Sequence, residues 1–160
     1  MKRFALVSFL MTVMALPSVF SLGLGLAATP GFGPGGSDLG GVAVTFKLDD
    51  MPYVFTVDGR FNSWGFGIGA TGDLWMWKGP LVEFLNYYAG PGLYAGVFLG
   101  NNYTNINAGV RFPLGLNTYL LNKKLELFLE VAPSVGLAVT SAGAGLGWGF
   151  QGAFGFRYYF

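Results

Sequence analysis

Taken two residues at a time, the stretch from Leu146 to Phe160 (LGWGFQGAFGFRYYF) separates into two rows. One row carries Leu146, Trp148, Phe150, Gly152, Phe154, Phe156, Tyr158 and Phe160. The other carries Gly147, Gly149, Gln151, Ala153, Gly155, Arg157 and Tyr159. Successive side chains of a strand point to opposite faces, so this period predicts a β-strand with one aromatic face and one small or polar face.

The same alternation recurs upstream and predicts seven further strands. They cover residues 22–28, 41–48, 53–61, 64–76, 85–99, 106–120 and 125–140. Gly/Pro or Asn/Asp punctuation separates them, at 30–38, Asp49 to Pro52, Asn62-Ser63, Lys78-Gly79-Pro80, Asn101-Asn102, Asn122-Lys123 and 141–145. Pro113 has no N–H to give a neighbouring strand, so a missing hydrogen bond or a bulge is expected there.

The position of the charges gives the pattern its meaning. Every charge within a predicted strand lies opposite the aliphatic row: Lys47, Asp58, Arg60, Asp73, Arg111, Glu126, Glu130 and Arg157. A soluble eight-stranded barrel, such as a lipocalin, would hide its aliphatic rows and show water a row rich in Lys and Glu. Here the polar rows are mostly Gly, Ala, Thr and Asn, with four positive and four negative charges. Small residues and balanced charges suit the narrow lumen of an eight-stranded barrel, which side chains nearly fill. The expected fold is therefore all-β, an antiparallel up-and-down transmembrane β-barrel of eight strands with lipid-facing aliphatic rows. Trp64 and Trp148 would mark one rim, and Tyr53, Tyr158 and Phe160 the other.

Composition fits this reading. Only 11% of residues are charged, against 52% hydrophobic and 27 glycines, whereas a soluble domain has about 25% charged residues. Residues 1–21 have the order of a cleaved signal peptide: Lys2 and Arg3, an apolar run from Phe4 to Leu16, then Val19 and Ser21 at the −3 and −1 positions. Residues 22–160 form the barrel domain, and losing Lys2 and Arg3 leaves seven basic against eight acidic side chains. That balance gives no support for nucleic-acid binding. With no Cys, neither a disulfide nor a lipoprotein anchor is available.

The alternating aromatics that end on Phe160 resemble the last strand of bacterial outer-membrane barrels. That resemblance implies that Phe156, Tyr158 and Phe160 form the signal read by the barrel-assembly machinery. The runs AGVRFPLGLNTYLLNKKLELFLEVAP (108–133) and GFRYYF (155–160) resemble small OmpA-type outer-membrane barrels of spirochaetes. TFKLDDMPYVF (45–55) and GFGIGATGDLW (65–75) are similar to the same family. The resemblance implies an outer-membrane location, contact with membrane lipids and a monomeric barrel. A peptidoglycan-binding domain is not seen, and the loops between strands are short.

Candidate chemistry is sparse, and no catalytic, cofactor or metal site is assigned. The chain has no His, so a Ser–His hydrolase is excluded. Glu126 and Glu130 could form an acid–base pair, but buried lumen carboxylates must be paired and a structural ion network accounts for them better. Asp49-Asp50 are too few for a calcium cage. The GxGxG run at 65–69 lacks the Lys and the following helix of a phosphate loop. Three functions stay open: a structural or anchoring barrel with a plugged lumen, a narrow pore or conduit for small hydrophobic molecules, and a surface protein that binds host ligands. If residues 141–146 form the last loop, Thr140 faces Gly147 and Glu130 lies beside Arg157. Arg111, Lys47 and Arg60 would then meet Asp58, Asp73 and Glu126.

Overall fold

The computed structural model describes residues 22–32, 41–48, 51–62, 65–101 and 103–160. The leader read at 1–21, most of the 30–38 loop, Asp49-Asp50 and Trp64 lie outside the described residues. Twelve strand segments follow in chain order: β1 (Leu22–Thr29), β2 (Gly31–Phe32), β3 (Gly41–Leu48), β4 (Tyr53–Asn62), β5 (Gly65–Leu74) and β6 (Trp77–Val82). Then come β7 (Leu85–Ala89), β8 (Gly92–Gly100), β9 (Tyr103–Arg111), β10 (Leu114–Leu120), β11 (Leu125–Thr140) and β12 (Gly143–Tyr159). Every pairing is antiparallel.

The segments amount to eight strands because four strands are interrupted. β1 continues into β2 across Pro30, β5 into β6, β7 into β8, and β9 into β10. The order β12-β1-β3-β4-β5-β8-β9-β11 closes on itself, because β11 also pairs with β12. Following one rung from Arg157 through Gly25, Thr45, Thr56, Thr71, Tyr94, Gly109 and Gly136 returns to β12 at Gly147, ten residues from the start. A stagger of ten residues over eight strands implies a tilt of roughly 40° to the ring axis.

Each interruption has a local cause. At Phe112-Pro113 the register on both sides of the gap is unchanged, so the proline removes a donor without adding a residue. The remaining backbone groups there still serve the wall: Pro113 O accepts from Gly90 N–H (3.2 Å), and Phe112 N–H donates to Pro133 O (2.9 Å). Between β5 and β6 the cause differs. Residues 74–76 oppose only 90 and 91, a bulge that places Met76 and Trp77 consecutively on the outside. The strand therefore continues through Lys78, Gly79 and Pro80, where the sequence suggested a turn.

The other hairpin ends also refine the sequence reading. Thr140 pairs with Gly143, so the last turn is only Ser141-Ala142. Thr140 Oγ1 accepts from Ala142 N–H and donates to Gly143 O, both at 3.2 Å. Gly143 takes φ +137°, a backbone state that favours glycine. The β10–β11 turn runs through left-handed Leu121, Asn122 and Lys123.

The wall has the two faces that alternation implies, with an inverted distribution of polarity. Outward rows such as Leu24, Phe46, Phe66, Leu129 and Phe154 are exposed. Lys47, Asp73, Arg111, Glu126, Glu130 and Arg157 are buried inside the ring. Glycines provide room for large inner side chains. Four inward aromatics lie opposite a glycine on the next strand: Tyr159 on Gly23, Phe98 on Gly67, Tyr94 on Gly109 and Tyr88 on Gly115. A Cβ on Gly115 would stand 2.0 Å from the Tyr88 ring, so only glycine lets that ring lie flat across the strand.

Candidate functional site

The interior polar groups gather in two layers. The lower one lies at the end of the ring where Leu22 and Tyr159 meet, called the terminal end below. Glu126 on β11 is fully buried and accepts three hydrogen bonds: from Asn117 Nδ2 at 2.6 Å, Tyr159 OH at 2.6 Å and Arg157 Nη1 at 3.1 Å. Arg157 Nε donates to Thr45 Oγ1 at 3.0 Å. Its guanidinium carbon stands 4.0 Å from the centre of the Phe128 ring and 5.4 Å from that of Trp75. Trp75 in turn stacks on Tyr88 at 3.6 Å and 15°. Lys47 Nζ lies 5.5 Å from the Trp75 ring and 5.7 Å from that of Tyr159. These residues come from strands on all sides of the ring, so the layer spans its interior.

The upper layer centres on Arg111 at the end of β9. Its Nη1 donates to Gln151 Oε1 at 2.9 Å, its Nη2 donates to Glu130 Oε1, and its Nε stands 3.1 Å from Asp73 Oδ1. Asp58 lies within electrostatic reach of Arg60 and Arg111. Gly92 makes room for the pair, since a Cβ there would fall 2.0 Å from Asp73 Oδ1. Both layers hold buried polar atoms without a hydrogen-bond partner: Gln151 Nε2 in this one, Trp75 Nε1 and Tyr88 OH in the lower. A void of about 20 Å³ borders Gln151, Asp58, Thr29, Thr56 and Thr71, room for about one water.

All eight charges read from the sequence fall on the inner face. Seven are buried and Arg60 is half-buried. The pairing differs from the sequence expectation. Glu126, not Glu130, faces Arg157, and Glu130 faces Ala153. The cause is the two-residue turn, which draws β12 four residues along β11. Glu130 is thereby released to Arg111. Lys47 Nζ lies over the rings of Trp75 and Tyr159. Asn117, Tyr159, Thr45, Trp75 and Gln151 complete the two layers. They already lay on the polar rows of the sequence, and only the register shows what they meet.

Burying an unpaired charge costs several kcal/mol, so balanced pairing is what this interior requires. The described carboxylates at its centre are engaged by donors, which suits cross-bracing better than proton transfer. Fold and site together define an all-β protein: a closed antiparallel ring with a charged, cross-braced interior and an apolar exterior. The chain belongs to the family described as "Protein of unknown function (DUF3996)", whose model matches residues 43–158. Neither curated proteins nor solved structures provide a match to the chain.

Proposed function

We propose that this chain is an integral outer-membrane β-barrel protein with a side-chain-filled lumen and a structural or anchoring role. The partition of polarity carries this reading: apolar rows from the strands of the ring face outward while the strand charges face inward. Soluble monomers rarely expose a contiguous apolar patch beyond about 300–600 Å². A bilayer is the solvent that makes such an exterior favourable, and closure of the ring through the β11–β12 pairing removes the long open edges a flat sheet would leave. Phe160 N–H donates to Leu22 O (3.3 Å), tying the end of the last strand to the start of β1 across the closure.

Under this reading, residues 1–21 direct export and are removed. The outward aromatics Phe156, Tyr158 and Phe160 engage the assembly machinery, as the resemblance to OmpA-type barrels suggests. The two charge layers act as a plug. A narrow pore is the second reading, favoured by the incompletely paired Gln151 beside the small void. Planar-bilayer recording of refolded protein, with insertion verified by protease protection, separates the two. The plug predicts no steady conductance from inserted protein, and a steady current would establish the pore instead.

A further inference from the structure

Five of the chain's eight prolines fall on one line across the wall. By continuation of the strand registers, Pro52, Pro91, Pro113, Pro133 and Pro30 stand opposite Trp75, Leu74, Gly90, Phe112 and Gly152. Each proline carbonyl accepts from the facing N–H, at 2.7, 2.9, 3.2, 2.9 and 2.6 Å respectively. An antiparallel pair bonded in this way exchanges two hydrogen bonds, and proline has no N–H to return the second. A single proline inside a sheet is already unusual for that reason. Here the half-made pairs are consecutive. The line steps from Trp75 to Leu74, across to Pro91 and Gly90, then to Pro113 and Phe112. It reaches β11 at Pro133, which lies opposite Phe150, two residues from Gly152. By contrast, β1 pairs with β3 from Leu22 to Thr29 without a proline on either strand.

Two more observations concern the same line. Outside, it runs through an open apolar trough of about 920 Å³ whose walls include Leu74, Pro91, Phe112, Pro133 and Phe150. The outer cover is therefore shallow where the backbone bonds are fewest. Inside, Arg111 precedes Pro113 and lies on the side away from the terminal end. Glu130 precedes Pro133 on a strand of opposite direction and lies on the terminal side, so the Arg111–Glu130 ion pair crosses the line. Arg111–Asp73 and Arg157–Glu126 each stay on one side of it.

We propose that this line is a crease along which the wall flexes, and that the buried Arg111–Glu130 pair is the clasp that holds it. Flexing bends the strands about their prolines, draws Arg111 away from Glu130 and admits water to the upper layer. The crease is a property of the ring, so it stands or falls independently of the membrane reading.

Amide hydrogen exchange of the full chain refolded in detergent, followed residue by residue by NMR, tests this. Protection at Leu74, Gly90 and Phe112 should be about fivefold lower than at amides bonded across the centre of the β1–β3 pairing, the equivalent of one ordinary hydrogen bond. Glu130→Gln should lower protection further at those three amides and leave the β1–β3 amides unchanged. Pro133 is exposed, so Pro133→Ala supplies the missing donor without disturbing the interior. It should raise protection at Phe112 about fivefold. The wild-type and Pro133→Ala measurements do not depend on removing a buried charge. Protection at the three amides equal to that of the β1–β3 amides, or no gain at Phe112 in Pro133→Ala, would overturn the crease. An equal loss of protection on all strands in Glu130→Gln would overturn the clasp.

Discussion

The two charge layers contain the same kinds of residue and solve different problems. Around Glu126 and Arg157, three donors meet one carboxylate and aromatic rings cover the guanidinium. Around Arg111, two carboxylates and an amide share one guanidinium, and a small void lies beside Gln151. Aromatic mass seals the first layer, while the second is braced by charge and borders a void with room for about one water. The lower layer is thus the lock of the ring, and the upper layer is where water or an ion could enter.

Removing carboxylates tests this contrast most severely. Glu126→Gln should cost about 3–5 kcal/mol, because Arg157 is left as a buried, uncompensated charge. Glu130→Gln should cost less, about 1–3 kcal/mol, since Arg111 keeps Asp73 and Gln151. Denaturant unfolding of refolded protein measures both. Double-mutant cycles should show coupling of Glu126 with Arg157 and of Glu130 with Arg111, and none of Glu130 with Arg157. Equal costs at the two carboxylates would erase the distinction between the layers.

The exterior provides a reference for the interior. Leu129 faces outward one position from Glu130 and is 60% exposed. Under the membrane reading, Leu129→Arg should cost roughly 2–4 kcal/mol, whereas Ser141→Arg in the exposed turn should be almost neutral. Folding yield and unfolding in lipid vesicles read this out, and equal effects would argue for water on both sides of the comparison.

Glycine substitutions probe the layers more gently. Gly115→Ala would drive a Cβ into the Tyr88 ring, which Trp75 holds from its other side. Gly92→Ala would meet the Asp73 carboxylate instead. Overpacking costs about 1–3 kcal/mol, and Gly115→Ala is expected near the top of that range because a stacked ring cannot swing away. Gly92→Ala should cost less, because the atom it meets is the far end of the Asp73 side chain, which can turn aside. The reverse order in denaturant unfolding would mean that the upper layer is the rigid one.

Faces and strands were legible in the sequence because the direction of a side chain along a strand is a local property. Lys47, Arg111 and Glu130 sit on the inner face because they alternate with Phe46, Val110 and Leu129. Register was not legible. A slip of four residues keeps every side chain on its own face, so alternation is blind to it. Only the turn at Ser141-Ala142 decides whether Arg157 meets Glu126 or Glu130. The bulge at residues 74–76 was hidden for a related reason: one added residue reverses the alternation, and Lys78-Gly79-Pro80 then reads as a turn. At Pro113 the missing donor was predictable from the residue alone, and the unchanged register shows that no residue was inserted.

The inverted partition of polarity is the claim on which the functional reading depends, and three tryptophans can test it directly. Trp148 and Trp77 face outward at 60% and 52% exposure, while Trp75, two residues from Trp77, is 3% exposed inside the ring. Variants retaining one tryptophan each would be refolded into vesicles whose lipids carry bromine on the acyl chains, a contact quencher of indole fluorescence. The account predicts strong quenching of Trp148 and Trp77 and little of Trp75. Quenching of Trp75 as strong as theirs, or unquenched Trp148 and Trp77 in vesicle-bound protein, would contradict it.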